Sequence, residues 1–584
     1  MSYTNRRSPR SATTGEASRR RARRLLATLL TVALAALPAV AQDDGADGAT
    51  EDEQHLFFEQ LSVRVVNVDV FVTDKKGNPI TDLTKDDFEL LEDGRPVEIT
   101  NFYAVDGAPG VAGGTGRVAD LPTGVAPPPE MLAREVPPEQ QTSIIVYIDN
   151  LFISPFQRNT LIREVNRFLN LNMKPQDRAM LVTFDRTLNI RQPFTHDVRL
   201  INRVMDEQMR VRSFGEQAEQ ERRDVLKRVD LSRSMNEAMS HADFYAKSMH
   251  HDVETSLNGL SELVDSLGGL PGRKMLVHVS EGIPMTAGED VFGLVDLEYG
   301  QASGSQLTAH RYRVRRQFRS IVAKANANRV TFYTIDASGS YTNTSLSAEH
   351  GNHNRSFVEI DFMYDSNRQE PLLMLADGTG GQATIGTSNF SGALDRIAHD
   401  LNTYYSLGYQ PTHVDDGRYH TIEVRVKKSG LRARHREGYR AKTMETRLND
   451  GTVAALLYQA STNPLGILVE VGRGQPSDDG LFLVPVEVKI PLSQIALLPT
   501  GTEHQGRLRV SVSVMDRDGD TSPPAQTPFP ISVPADEVES IDGRYYIYSA
   551  QLLMRSGRHQ VAVGVTDEIA GESSFIHQPV RVES

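Results

Sequence analysis

The stretch that most constrains the fold is Ser143–Ser154, SIIVYIDNLFIS. Five apolar residues, Ile144–Ile148, run directly into Asp149, and a short apolar run of this kind is typical of a fully buried strand. A carboxylate at the end of such a strand lies at the carboxyl edge of a sheet, where α/β folds place their ligand sites. Ser154 is then placed as the N-cap of a helix, with Pro155 at its first position.

The region from Thr142 to about Pro411 alternates predicted strands with predicted helices. Because parallel strands are joined by helical crossovers, this order predicts a mostly parallel sheet with helices on both faces, an α/β class. Within it, residues 215–250 predict a polar helical insertion, and residues 338–370 predict a polar loop.

The flanking regions have different patterns. Val510, Val512 and Val514 alternate with other residues, and helix patterns are missing from the C-terminal part, which indicates a β-sandwich of immunoglobulin-like type. The predicted units are a small β module at 56–105, a Gly- and Pro-rich linker at 106–141, the α/β domain at 142–442 with a terminal strand pair at 419–439, and the β-sandwich at 465–584.

The first 41 residues have the pattern of a signal peptide. An arginine-rich segment precedes the apolar run Leu25–Leu37, and Ala39-Val40-Ala41 forms an A-x-A cleavage site. The apolar run is shorter than the ~20 residues that span a bilayer. We therefore expect cleavage after Ala41, a periplasmic or secreted protein, and no stable membrane span. Residues 42–55 predict an acidic, disordered tether.

The charge and the cysteine count exclude several classes of function. Residues 1–41 carry eight arginines and one glutamate, so cleavage takes the formal net charge from −13 to −20. Nucleic-acid binding needs Lys and Arg against phosphates, so we expect no nucleic-acid partner. The chain has no cysteine, which excludes thiol catalysis, disulfides and thiolate metal sites.

Three segments carry a resemblance to a known family. They are V-x-V-x-V-T-D-x-x-G-x-x-I at Val68–Ile80 with D-F-x-L-x-E-D-G at Asp87–Gly94, the strand–Asp–helix stretch, and Tyr404–Tyr409 followed by His420–Tyr439. In these segments the chain resembles the VWFA-related family of exported bacterial proteins of acidobacterial type, over roughly residues 60–442. The resemblance implies a von Willebrand factor A-like (VWA) fold, adhesion or assembly through a metal-ion-dependent site, and no catalytic activity.

The metal site that the resemblance implies uses D-x-S-x-S, a later Thr and a later Asp, which offer Mg²⁺ hard oxygen ligands. Here Asp149 matches the first aspartate, but Leu151 and Ile153 stand where the serines belong. Thr255 is the candidate threonine, although it also fits the start of a helical turn. Glu281 stands in place of the later aspartate, and it is longer by one methylene. This degenerate set leaves open one Mg²⁺ ion or a fold kept as a scaffold.

The sequence leaves three functions open. We expect a non-enzymatic interaction protein whose partner is another protein or an envelope component. This expectation rests on the several modules and on the missing catalytic motifs. One alternative is a metal-assisted hydrolase that uses the paired acids Asp149 and Glu281. The other is a structural component of the envelope.

Overall fold

A computed structural model of the chain describes residues 65–106, 141–300, 303–339, 355–477 and 480–583. The predicted signal peptide with Ala41, the acidic tether and almost all of the predicted linker lie outside the described residues. Within the described ranges, no helix has both the length and the apolar character needed to cross a membrane.

The elements are numbered here in chain order. The strands are β1 Val66–Thr73, β2 Phe88–Glu92, β3 Arg95–Val97, β4 Ile99–Asp106, β5 Thr142–Asp149, β6 Arg178–Phe184, β7 Leu188–Thr195, β8 Arg273–Ser280, β9 Val330–Asp336, β10 Gln382–Thr384, β11 Thr403–Tyr409, β12 Tyr419–Val426, β13 Arg432–Arg434, β14 Gly438–Arg440, β15 Leu468–Val471, β16 Gln475–Pro476, β17 Phe482–Pro491, β18 Leu498–Thr500, β19 Glu503–Asp516, β20 Ala525–Pro534, β21 Tyr545–Met554, β22 Gly557–Asp567 and β23 Ser573–Val582. The helices are α1 Pro155–Asn172, α2 Val198–Gln208, α3 Gly215–Asp230, α4 Met235–Ser266, α5 Glu289–Tyr299, α6 Ser305–Ala309, α7 Arg315–Ala327, α8 Arg355–Gly378, α9 Phe390–Asn402 and α10 Met444–Tyr458.

The central sheet has the order β10-β9-β8-β5-β6-β7. Its strands are parallel except for the edge strand β7, which runs antiparallel to β6. Every residue of β5 is buried, and two apolar clusters cover the opposite faces of the sheet. The predicted α/β class with a largely parallel, doubly covered sheet is confirmed, and Asp149 ends its buried central strand.

The region around residues 215–267 is two helices rather than one stretch. α3 ends at Asp230 and α4 begins at Met235, with the Ser234 side chain accepting a hydrogen bond from the Glu237 N–H. A serine in this position satisfies a free N–H group of the first turn. The polar insertion therefore folds back on itself as a helical hairpin.

The prediction of a polar loop at 338–370 is wrong from residue 355 onward, because α8 occupies 355–378. Its polar residues serve tertiary contacts that a sequence pattern does not display. The buried Asn367 side chain makes two hydrogen bonds with the backbone of Thr286, both at 2.8 Å, while Ile360 is fully buried. Residues 340–354 lie outside the described ranges.

The N-terminal strands do not form a module of their own, which corrects the boundaries predicted from the sequence. β1 pairs with β11 and β13, and β2 pairs with β12. The result is two four-stranded sheets, β13-β1-β11-β4 and β14-β12-β2-β3, packed around one apolar core. We call this unit the interleaved sandwich. The predicted strand pair at 419–439 belongs to it, because its apolar faces close that core rather than the core of the central sheet.

The interleaved sandwich attaches at the amino end of the central strands. Arg273, the first residue of β8, is buried, and its Nε lies 3.2 Å from Asp69 Oδ2 of β1. Its guanidinium also lies 3.8 Å from the ring centroid of Tyr404 in β11. A buried guanidinium needs such charge and aromatic partners, so Arg273 fixes the joint between the two units.

Residues 465–583 form a second two-sheet β unit. β17 pairs with β15, β16 and β21 in one sheet, and β19 pairs with β18, β20 and β22 in the other, with β23 beyond β22. Apolar side chains of both sheets form one core, as in a β-sandwich. The two-sheet architecture agrees with the sequence, and the immunoglobulin-like topology stays a prediction.

Helix α10 joins this second sandwich to the amino end of the central sheet. A Cβ at Gly269, just before β8, would lie 2.1 Å from the Asp450 carbonyl oxygen of α10. On its other side, a Cβ at Gly564 of β22 would lie 2.5 Å from Thr452 Oγ1. Only glycine permits these approaches. Both β units therefore attach away from the carboxyl edge, which carries the candidate site.

Candidate functional site

Asp149 lies at the carboxyl edge of the sheet but is completely buried. Its Oδ1 accepts hydrogen bonds from the backbone N–H groups of Leu151 at 3.1 Å and Phe152 at 3.4 Å, and its Oδ2 accepts one from Ser280 Oγ at 3.5 Å. Oδ1 thus holds the loop between β5 and α1, and Oδ2 contacts the last residue of β8. Burial raises the pKa of this carboxyl group to about 7, and the hydrogen bonds and the charge of Arg368 act in the opposite direction.

This pKa predicts a specific pH dependence of stability. Between the ordinary pKa of 3.8 and about 7, the folded state holds a proton that the unfolded state releases. The resulting stabilisation is largest at acid pH and is lost as pH rises through 7. Relative to Asp149→Asn, the unmodified chain should lose roughly 2–3 kcal/mol of unfolding free energy between pH 5 and pH 8. Urea unfolding of both proteins at the two pH values checks this, and parallel profiles would contradict it.

Glu281 follows β8 and makes a close contact with the start of α1. Its Oε1 accepts hydrogen bonds from the Ser154 N–H at 2.8 Å and from Ser154 Oγ at 2.5 Å. Ser154 does hold the N-cap position of α1, but its hydroxyl makes no bond to the helix and donates to Glu281 instead. The predicted side-chain cap is therefore corrected, since the longer carboxylate side chain of Glu281 reaches the hydroxyl.

Arg368 of α8 supplies the positive charge at this edge. Its Nη2 lies 3.9 Å from Glu281 Oε2, its Nη1 donates to Tyr364 Oη at 2.7 Å, and its Nε donates to the Gly282 carbonyl at 3.1 Å. The side chain is only 13% exposed. Gly282 has φ +94°, and a Cβ there would lie 2.5 Å from the Arg368 carbonyl oxygen, so glycine permits α8 to approach so closely.

The residues predicted to bind Mg²⁺ do not fit the ion as the structure places them. Thr255 lies within α4 and donates its hydroxyl to the His251 carbonyl at 2.8 Å, which is the local bonding of a helical threonine. Leu151 and Ile153 are buried in the apolar core. Asp149 and Glu281 already accept from the loop and from Ser154. Mg²⁺ demands several free oxygen ligands in octahedral geometry. This edge offers a fixed guanidinium instead.

A cavity of about 250 Å³ opens at this edge. Helix α3, the loop after β5, the segment after β8 and helix α8 form its walls, with Met249 of α4. The lining residues are Phe152, Ser154, Gly215, Glu216, Ala218, Glu219, Arg223, Met249, Glu281, Pro284, Tyr364 and Arg368. Asp149 does not line it, so the cavity brings Glu281 together with Arg368 and leaves Asp149 behind the loop.

The start of α3 brings the helical hairpin onto this edge. The Phe214 N–H donates to the Asn150 carbonyl at 2.8 Å, and the Gly215 N–H donates to the Ile153 carbonyl at 3.1 Å. A Cβ at Gly215 would lie 2.4 Å from the Ile153 carbonyl carbon, so only glycine fits here. Sequence reasoning missed the cavity residues of α3 and α8; the glycine at the start of the polar helix was the one local signal.

Comparisons with known proteins give no family assignment. No family model matches the chain, and no curated protein matches it. An aerotolerance-related membrane protein from Bacteroides fragilis and BatB from Bacteroides thetaiotaomicron are each 9% identical to it, with a TM-score of 0.20. They align to 45% of this chain and to 98% and 97% of their own. Three N-terminal domains of the type V pili tip protein Mfa5 from Porphyromonas gingivalis are 9% identical over 76% of this chain and 70% of theirs, with a TM-score of 0.24. These similarities are weak and assign no function.

Proposed function

We propose that this chain is an exported, non-enzymatic protein that binds another protein or an envelope component through the carboxyl edge of a VWA-type domain. The strand order of the central sheet and its antiparallel edge strand support the VWA assignment, together with the sequence segments that resemble the VWFA-related family. In doubly wound sheets, ligands bind at this edge.

The observation that carries the proposal is a pair of exposed aromatic residues close in sequence to Ser154 and Tyr364, which line the cavity. Phe156 at the start of α1 is 75% exposed and Phe362 of α8 is 74% exposed. Phe362 lines a second cavity that also includes Ile385, just beyond the end of β10. Exposed aromatic residues beside charged ones are typical of protein interfaces. Glu216 and Arg223 line the first cavity and are exposed, so they add charged side chains to this surface.

The hydrolase alternative requires two carboxyl groups that face one cavity. Asp149 is fully buried behind the loop, and Glu281 is held by Ser154 and Arg368. A general acid and a general base must both reach the substrate. The geometry therefore favours binding over hydrolysis at this edge.

Photocrosslinking in cells that export the chain tests the proposal. A photoreactive amino acid in place of Glu216 should give one defined adduct with an envelope protein, and Arg223→Glu should abolish it. The same probe in place of Arg95, an exposed residue on the interleaved sandwich, is the control. Equal adducts from both positions, or no adduct from Glu216, would contradict the proposal.

A further inference from the structure

A second cluster of polar side chains lies in the interleaved sandwich, away from the carboxyl edge. Asp93, His413 and His420 each offer one ligand atom, and these atoms all lie within 4.8 Å of one another. His420 Nδ1 lies 2.7 Å from Asp93 Oδ2, and the rings of His413 and His420 are stacked with centroids 4.7 Å apart at 8°. The turn after β2 and the segment that leads into β12 thus bring one carboxylate and two imidazoles together.

The ring of His420 is oriented by a second carboxylate. Its Nε2 lies 3.1 Å from Asp416 Oδ2, on the side opposite Asp93, and its side chain is only 6% exposed. Metal-binding histidines usually donate one ring N–H to a carboxylate, which fixes the tautomer and leaves the other nitrogen for the metal. With Asp416 accepting from Nε2, the proton between Nδ1 and Asp93 Oδ2 is the one that a metal ion would displace, and Nδ1 would then bind the ion beside Asp93 and His413.

The backbone around Asp93 is also fixed in place. Asp93 has φ +48°, in the turn between β2 and β3, and its Oδ1 accepts from the Thr421 N–H at 2.8 Å. The Asp93 N–H donates to the Thr421 carbonyl at 3.0 Å. Oδ2 is then directed at His420. One carboxylate oxygen is therefore held by the Thr421 backbone, and the other belongs to the cluster.

We propose that Asp93, His413 and His420 form a binding site for one divalent transition-metal ion of the Zn²⁺ type. Two imidazoles and one carboxylate suit Zn²⁺, Ni²⁺ or Cu²⁺, whereas Mg²⁺ prefers oxygen ligands alone. Ligand distances of about 2.0–2.2 Å need ligand atoms slightly more than 3 Å apart. The Asp93–His420 contact at 2.7 Å opens by roughly half an ångström or more on binding, and the exposed His413 side chain turns out of its stacked position so that a ring nitrogen points at the ion.

The ion at this site joins the N-terminal strands to the strands that follow the α/β domain. Asp93 and His420 are 327 positions apart in sequence. Crosslinks that close long loops stabilise the folded state, as structural metal ions do. The three protein ligands leave one tetrahedral position for water or for a partner group.

Zinc titration of the untagged, chelator-treated chain by calorimetry tests the site. The variants are His413→Ala, Asp93→Asn and the control His251→Ala, which removes an exposed histidine from α4. Asn tolerates the positive φ at position 93, so this variant keeps the turn. We expect one Zn²⁺ per chain for the unmodified protein and for the control, and at least tenfold weaker binding for the two cluster variants. Zinc should also raise the unfolding midpoint of the unmodified protein and of the His251→Ala control.

Co²⁺, which replaces Zn²⁺ in such sites, provides a second readout. A visible absorption band should develop at one equivalent in the unmodified chain and should be absent from His413→Ala. Circular dichroism verifies that each variant is folded. If the unmodified chain fails to bind Zn²⁺ stoichiometrically, or all four proteins bind it equally, the site assignment is overturned.

Discussion

Replacing Arg368 by methionine is expected to lower the free energy of unfolding by about 3–5 kcal/mol, as loss of one partner from a buried charge pair commonly does. The methionine side chain fills part of the same volume but supplies no charge. Glu281 then loses its cationic partner, Tyr364 Oη loses a donor, and the Gly282 carbonyl loses its hydrogen bond. Buried Asp149 also loses the positive charge that favours its ionised form.

The matched control is Arg319→Met in α7, where the arginine is exposed. Surface substitutions of this kind usually change stability by less than about 0.5 kcal/mol. Urea unfolding of the three proteins at pH 8 gives the comparison. Equal stability of Arg368→Met and Arg319→Met would show that the guanidinium does not hold this edge together.

Replacing Val68 by aspartate should destabilise the interleaved sandwich by more than about 4 kcal/mol, because it buries an unpaired charge. Val68 is completely buried in β1, directly opposite Leu407 of β11. β11 pairs with β1, and β12 pairs with β2. Unfolding of the N-terminal strands should therefore also unfold these strands, which lie more than 300 positions later in the sequence. Limited proteolysis should therefore produce new cleavage between residues 410 and 440.

Arg95→Asp provides the control for this prediction. Arg95 is exposed on β3 of the same unit, so a carboxylate there remains in water. This variant should resist protease as the unmodified chain does. If Val68→Asp exposed only residues 65–106 to cleavage and left the later strands protected, the two halves would be independent and the interleaved arrangement would be contradicted.

The parts of the fold that the sequence predicted are those with a local signal. The apolar run before Asp149 identifies a buried strand, and the alternation of valines around Val512 identifies a sandwich strand. Both strands can be recognised from a pattern of residues that are close together in the sequence. β20 shows the limit: it carries Pro528 and Pro530 and was not predicted. Among the described strands it pairs with β19 alone, and proline is tolerated on an edge strand because one side of the strand needs no N–H donor.

The parts that the sequence could not predict depend on contacts over long separations. The pairing of β1 with β11 joins segments that the whole α/β domain separates, and neither segment marks its partner. Arg368 is likewise one charged residue near the end of the stretch 338–370, whose polar pattern predicts a loop. Its role appears only when α8 packs beside Glu281. Thr255 matched a motif by spacing but lies in a helix that satisfies its hydroxyl.

The central claim is that a guanidinium, rather than Mg²⁺, holds the carboxyl edge of the α/β domain. Thermal unfolding of the chelator-treated chain, with and without millimolar Mg²⁺, tests it most directly. An ion bound at 100 times its dissociation constant adds about 2.7 kcal/mol to the folded state and raises the midpoint by a few degrees. The account predicts an unchanged midpoint. A rise of several degrees that disappears in Asp149→Ala would contradict it and would restore Mg²⁺ to this edge.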